Sequence, residues 1–320
     1  MKSTGKLLVC SALVTSFSLP AFAAQEGDLP IEIYNRLRIE YDDNVRLTDT
    51  DPDSSVKIIE DVELIKGFNF GSTRLSVRYN PSFTYWADRD EDDADLHHEL
   101  EAGLHHDFSE RVYLSIKETF RLAELPELIQ DGDDTSVVLR ENNDFVYNSL
   151  TARSGIRVSE LVTIGLHARH QMLAYDEDVV AARRDYDKVT VGGDVGYLFN
   201  PQNTVSGEFR FSTSDYDLES RDSESIQVGG SLRSLLGPNT VLNVRAGVES
   251  QDYDGDALED QDTPYADLSL NSQVSKHTRV VLGVGHSLGE SPISEYASQE
   301  RTSVRAGVNH VVTRSVKLAV

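Results

Sequence analysis

The sequence predicts an all-β protein, an antiparallel transmembrane up-and-down β-barrel of about 15–16 strands. Three observations predict this fold: apolar residues alternate with polar ones, an export signal precedes them, and short neutral turns alternate along the chain with long acidic loops. Alternation gives a strand one apolar and one polar face. A barrel built from such strands can span a membrane without any continuous apolar run.

The first residues have the form of a secretory signal peptide. Two lysines precede an uncharged apolar stretch over residues 7–19, and Ala21 and Ala23 are small residues at the positions that a signal peptidase recognises. The single cysteine, Cys10, lies in this segment, so the predicted mature chain has no thiol for a disulfide or a metal. The predicted parts are a signal peptide (1–23), a short periplasmic N-terminal segment (24–30) and an outer-membrane β-barrel domain (31–320).

The charge of the chain restricts its partners. Asp and Glu number 54 against 30 Lys and Arg, which gives a formal net charge of -24. Nucleic acid requires a basic surface on its partner, so we expect no nucleic-acid binding. No apolar run approaches the roughly 20 residues that a membrane-spanning helix needs, and no helical pattern is recognisable after residue 30.

Five segments show the alternation most clearly, and each predicts a strand. Their apolar positions are Leu75/Val77/Tyr79, Val112/Leu114/Ile116, Val205/Phe209/Phe211, Leu242/Val244/Val248 and Val304/Ala306/Val308. We expect these side chains to face lipid, since the residues between them are polar.

Two kinds of connection separate the strands. Seven stretches, at 42–53, 88–95, 124–134, 176–187, 215–224, 252–262 and 290–300, hold 35 of the 54 acids. Seven tight turns, rich in Gly, Pro, Asn and Ser, are centred at Asn69, Ser109, Ser159, Gln202, Pro238, Lys276 and Arg314. Short turns at one end and long loops at the other are typical of a membrane barrel, and we expect the acidic loops to face outward.

The turns recur at 36–50 residues, a spacing that also suits a β-propeller. A propeller blade needs four short strands per repeat, whereas each repeat here offers two strands of about ten residues, as a tilted membrane strand requires. The pattern predicts fifteen strands in all. Bacterial single-chain barrels have even strand numbers, so we expect the chain to stop before its barrel closes.

The segment Ile39-Glu40-Tyr41-Asp42-Asp43-Asn44-Val45, at the end of the first predicted strand, resembles the opening of the "putative beta-barrel porin 2" family. The resemblance implies an outer-membrane barrel that is often associated with exopolysaccharide loci. It implies a porin-like conduit, accessory to polysaccharide export. A non-conducting surface barrel (receptor, adhesin or structural element) and a soluble secreted β-protein that binds carbohydrate stay open as alternatives.

Charged residues on the predicted inward faces are the candidates for lining a lumen. They are His97, Glu99, Glu101, His105, Glu208, Arg210, Arg245, Glu249 and Arg305. Mixed charges make a hydrated wall that can bind a sugar chain or select ions. For any single residue, the alternative is structural pairing across strands.

Two acidic loops place carboxylates at alternate positions, as Ca²⁺ prefers. These calcium candidates are Asp49, Asp51, Asp53, Asp252, Asp254 and Asp256, although neither loop completes an EF-hand and a solvated acidic surface is the favoured explanation. No catalytic motif is recognisable, so we expect no enzyme activity and no cofactor. The expected partners are outer-membrane lipid and lipopolysaccharide, the barrel-assembly machinery, and polysaccharide or divalent cations.

Overall fold

The computed structural model describes residues 31–42, 54–88, 93–123, 128–131, 135–138, 143–217, 221–254, 258–290, 298–311 and 317–319. The strands are β1 (Glu32–Asp42), β2 (Ser55–Phe70), β3 (Thr73–Trp86), β4 (Ala94–Ser109), β5 (Val112–Ala123), β6 (Leu128–Asp131), β7 (Thr135–Val138), β8 (Phe145–Arg157), β9 (Val162–Tyr175), β10 (Tyr186–Asn200), β11 (Asn203–Tyr216), β12 (Ser223–Gly237), β13 (Thr240–Tyr253), β14 (Gln261–Ser275), β15 (Thr278–Glu290), β16 (Ser298–Val311) and β17 (Lys317–Ala319).

The strands form one antiparallel up-and-down sheet in which each strand pairs with its neighbours along the chain. The predicted count is confirmed, because this sheet has fifteen strands, and β6 and β7 form a separate hairpin between β5 and β8. Strand β1 pairs with β2 and strand β17 pairs with β16. Among the described residues no pairing joins β1 to β17, so the described sheet is not closed.

One short helix corrects the expectation of no helix after residue 30. Helix α1 (Asp178–Arg184) lies in the acidic connection between β9 and β10. Seven residues make only two turns, too few for a periodic apolar pattern to emerge. Its acid in the first turn and its two arginines in the last turn suit the helix dipole. Within the described ranges, no helix is long and apolar enough to cross a membrane.

The sheet has two different faces, because directly paired residues on adjacent strands point to the same side. On the face that we call the apolar face, large side chains such as Phe209, Val228 and Val248 are exposed. On the opposite, polar face, Glu99 and Glu249 are buried. Large apolar side chains are therefore exposed on one face of the sheet, whereas charged side chains are crowded on the other.

The predicted lipid-facing residues of β11 and β13 all lie on the apolar face. Carboxylates also lie on this face. Among the described side chains, six are at the loop ends of their strands, namely Asp187, Asp215, Glu224, Asp252, Asp262 and Glu300, and two are nearer the strand centres. Glu60 accepts a hydrogen bond from Asn35 at 2.8 Å, and Glu118 accepts one from Asn148 at 3.2 Å. Each pair joins neighbouring strands, so each of these two carboxylates has a donor.

A cluster of buried aromatic and aliphatic residues covers the loop end of the polar face. Its buried members are Ala123, Phe145, Tyr147, Leu173, Tyr175 and Tyr186, and Val180 and Ala181 of α1 pack against them. The short helix is therefore held against the loop ends of β8, β9 and β10. This packing defines one boundary of the polar face.

Candidate functional site on the polar face of the sheet

The charged residues of the sheet lie mainly on the polar face, which we divide into two walls. The first wall comprises β1 to β5. Its basic residues are Arg36, Arg38, Lys57, Arg74, Arg78, Lys117 and Arg121, and its acidic residues are Glu32, Glu40, Asp61, Glu63, Asp95, Glu99, Glu101 and Asp107. This wall thus has seven basic and eight acidic residues, so its net charge is almost zero.

The second wall comprises β8 to β16. Its basic residues are Arg153, Arg157, Arg169, Lys188, Arg210, Arg233, Arg245, Arg279, Arg301 and Arg305, and its acidic residues are Asp194, Glu208, Glu249 and Asp267. Ten bases here face four acids, so this wall carries an excess of positive charge.

Ion pairs run across the first wall from strand to strand. Arg38 binds Asp61 at 3.0 Å, and Ser82 donates to the same carboxylate at 2.7 Å. Arg78 binds Glu63 at 2.5 Å and also contacts Glu99. These contacts link β1, β2, β3 and β4 along the polar face.

The predicted candidates of β4 take part in this network. Glu99 also binds Arg121 at 2.8 Å, and Glu101 binds Lys117 at 2.9 Å. His105 lies on the same face, where its ring stacks on Tyr113 with centroids 5.5 Å apart. His97 shares the face and pairs in register with Ser82. The row is therefore part of a cross-strand network and not an isolated histidine cluster.

A row of four residues organises the second wall. Glu208, Gly229, Gly247 and Tyr265 occupy the same register position on four successive strands, β11 to β14. The phenol of Tyr265 reaches across both glycines and donates to Glu208 at 2.7 Å. A Cβ atom on Gly229 would lie 2.1 Å from this phenol oxygen, so the contact requires glycine.

Arg245 completes this cluster. Its Nε donates to Glu208 Oε1 at 2.5 Å, and its guanidinium lies 4.9 Å from the centroid of the Tyr265 ring. Gln227 donates to Glu249 at 2.7 Å, and Arg210 pairs in register with Gln227 on the neighbouring strand. Four of the predicted candidates, Glu208 and Arg210 of β11 and Arg245 and Glu249 of β13, are thus brought together around β12.

A second glycine row mirrors the first. Tyr113, Gly155, Gly165 and Asp194 follow one register position from β5 to β10. A Cβ atom on Gly155 would meet the Tyr113 ring at 2.1 Å, and one on Gly165 would meet the Asp194 carboxylate at 2.2 Å. Asp194 pairs directly with Glu208. The two rows therefore join into one line across eight strands.

Arg305 lies apart from both clusters. It pairs in register with Gly283 on β15, and its side chain lies 3.7 Å from the position that a Cβ of Gly283 would take. It is exposed on the polar face. Sequence reasoning overlooked Tyr265 and the glycines, although Gly247, between Ala246 and Val248 of a predicted strand, marks a close approach.

Only two of the six calcium candidates lie among the residues that the structure describes. Asp49, Asp51, Asp53 and Asp256 lie outside the described residues, whereas Asp252 and Asp254 are at the end of β13. Over the part of the chain that the structure describes, no group of three His, Cys, Asp or Glu is arranged to hold a metal ion. Calcium binding stays a prediction.

The electrostatics of the α1 connection differ from those of the walls. Asp185, just after α1, accepts a hydrogen bond from the backbone N–H of Tyr175 at 2.9 Å. Burial raises the pKa of Asp185 above its usual value, the Tyr175 hydrogen bond opposes the rise, and the nearby Asp217 adds to it. The folded connection therefore favours the protonated carboxyl.

Solved structures with a similar fold are outer-membrane proteins. A bacterial polysaccharide outer membrane secretin matches with a TM-score of 0.50 and 11% identity, over 86% of this chain and 89% of the secretin. A mutant ferric enterobactin receptor of Pseudomonas aeruginosa has a TM-score of 0.49 and 7% identity, over 92% of this chain. The ferric-catecholate import receptor Fiu of E. coli K12 has a TM-score of 0.44 and 9% identity, over 92% of this chain.

The chain spans 56% and 60% of the lengths of those two receptors. At these identities the comparison concerns the fold alone, and the fold is that of an outer-membrane β-barrel. A family model described as "Putative beta-barrel porin 2" matches residues 34–320, and the chain belongs to this family. Among curated proteins, none matches this sequence. The resemblance of the first loop to this family is therefore confirmed.

Proposed function

We propose that this outer-membrane β-barrel is a porin-like conduit whose polar face lines a water-filled lumen. The observation that carries the proposal is the separation of basic residues between the two faces. Seventeen Lys and Arg residues of the described strands lie on the polar face, and Lys66 is the one on the apolar face. Charged groups need water or partners, whereas lipid accepts apolar side chains.

The chemistry of the polar face suits passage of a polar solute. Carboxylates, guanidinium groups and hydroxyls line both walls and can replace the hydrogen bonds of a hydrated solute. A sheet of about sixteen strands encloses an aqueous channel when it closes into a barrel. A receptor without a conducting lumen needs no such continuous polar surface.

Polysaccharide is the solute class that we propose for this conduit. The family that the first loop resembles is often associated with exopolysaccharide loci, and the structure of similar fold is a bacterial polysaccharide outer membrane secretin. Hydroxyl-rich chains match the mixture of donors and acceptors in the two walls. Conduction of ions and recognition of polysaccharide are separate properties, and each is tested by its own experiment.

Conductance measurements test the conduit. The purified mature protein, inserted in a planar lipid bilayer, is expected to give stable ion currents. Protein that is inserted and heat-modifiable on gels but gives no current would favour the receptor or adhesin alternative. Recovery as a folded monomer in the periplasm would favour the soluble alternative.

Export and orientation follow from the same proposal. We expect the mature protein to begin at Ala24, which N-terminal sequencing of the outer-membrane fraction would show. Protease added to intact cells is expected to cut in the acidic loops 88–95 or 252–262 and to spare the turn at 237–239. Cleavage at the turn but not in the loops would reverse the proposed topology.

A further inference from the structure

The charge of the polar face is opposite in sign to the charge of the chain. The whole chain carries a net charge of -24, yet the polar face of the described strands holds seventeen bases against twelve acids. The excess of positive charge comes entirely from the second wall. Acidic residues are concentrated in the connections between strands instead.

Several arginines of the second wall are open to the polar side. Arg153, Arg157, Arg233 and Arg305 are exposed. Within the described ranges none of the four forms an ion pair with a carboxylate. In the first wall, by contrast, the exposed Arg74 has a carboxylate, Asp107, at 3.4 Å, and Arg36 is an exposed arginine without such a partner in the described ranges.

The open arginines extend along the wall. Arg157 and Arg233 lie close to the turn ends of β8 and β12, whereas Arg153 and Arg305 lie nearer the middle of β8 and β16. A solute that passes along the polar face from the turn end therefore meets positive groups at successive depths. A guanidinium group binds carboxylates, phosphates and sulfates through two parallel hydrogen bonds.

We propose that the polar face selects anions and that the solute is an anionic sugar chain. The inference rests on the conduit proposed above and names its solute class. A wall of one charge sign concentrates ions of the opposite sign along a water-filled path. Screening limits each charge to about 10 Å at 0.1 M salt, so charges must recur along the path, as the arginines of the second wall do.

Reversal potentials in a KCl gradient test the selection of anions. The wild-type channel is expected to have a permeability ratio of chloride to potassium above one, and the ratio should rise as the salt concentration falls. A ratio below one would overturn the inference and leave the conduit intact. A protein that inserts but carries no current would refute the conduit itself, so the two failures are distinct.

Charge-removing variants locate the selectivity. Replacing Arg153, Arg233 and Arg305 together by Gln is expected to bring the ratio toward one. The matched control Lys66→Gln removes a positive charge from the apolar face and should leave the permeability ratio at its wild-type value. The single variant Arg305→Gln, on the polar face, should lower this ratio. Equal effects of these two single variants would show that the net charge of the protein, and not the second wall, sets the ratio.

Oligosaccharides test the solute class directly. Oligogalacturonate added to the turn side of the wild-type channel is expected to block the current at lower concentration than an uncharged oligosaccharide of equal length. The triple Gln variant should lose most of this difference. Equal block by both sugars in the wild type would refute recognition of an anionic chain, whatever the ion selectivity.

Discussion

Charged side chains are paired in different ways in the two walls of the polar face. In the first wall, carboxylates such as Glu99 bind two arginines from neighbouring strands, and acids and bases nearly balance. In the second wall, Arg245 and Glu208 interact across an intervening strand. Glycines there replace the side chains that would stand between them.

We expect the paired charges of the first wall to contribute mainly to stability and the exposed arginines of the second wall to contribute to selectivity. Paired charges in the first wall stabilise strand register but give little net field. In the second wall a tyrosine lies over glycines of neighbouring strands, an arrangement that also supports sheets of designed proteins. Four other arginines of this wall, Arg153, Arg157, Arg233 and Arg305, are exposed on the polar side, where we expect them to act on a solute.

The largest expected effect tests whether the two faces of the second wall differ at all. Arginine in place of Phe209, in the middle of β11 and on the apolar face, should destabilise the protein by roughly 2–4 kcal/mol in a bilayer. The matched variant Ser206→Arg places the same side chain on the polar face and should cost far less. Unfolding by urea in lipid vesicles measures both, and equal costs would contradict a lipid-facing apolar face.

Removal of one carboxylate tests the paired wall. Glu99→Ala leaves Arg78 and Arg121 without this acceptor, and charged hydrogen bonds of this kind contribute about 1.5–3 kcal/mol. The comparison variant Arg305→Gln removes an open charge from the second wall and should change stability by less than about 0.5 kcal/mol. If both changes cost the same, the distinction between paired and open walls fails.

A single methyl group tests the glycine row. Gly229→Ala places a Cβ where the Tyr265 phenol lies, and overpacking of this kind costs about 1–3 kcal/mol. Gly207→Ala is the control, because a Cβ there meets no atom within 4 Å. Thermal unfolding in detergent should separate the two variants. Tyr265→Phe combined with Gly229→Ala should show whether the lost hydrogen bond to Glu208 accounts for the cost.

The smallest expected effect concerns the α1 connection. Because the pKa of Asp185 is raised in the folded state, its contribution to stability is full below the ordinary carboxyl pKa and is lost as pH rises through the raised value. Asp185→Asn keeps an oxygen acceptor for the Tyr175 N–H, so it should protect that amide slightly better than wild type at neutral pH. Hydrogen exchange should show this difference disappear in acid.

Much of the fold was predictable because a period of two is visible along the chain. The alternation in segments such as 205–211 and 242–248, together with the neutral turns, predicted a fifteen-stranded antiparallel sheet, as observed. Helix α1 was not predictable, because its seven residues are too few to show a period and it packs against a cluster that only the folded sheet assembles.

By itself, the sequence determined which residues share a strand face, since alternation fixes that before any partner is known. It thus indicated that Glu208, Arg210, Arg245 and Glu249 are polar-face residues. Only the tertiary structure decided their partners, because cross-strand register depends on how hairpins pair. That register placed Tyr265 over two glycines from other strands and left Arg153, Arg157, Arg233 and Arg305 exposed.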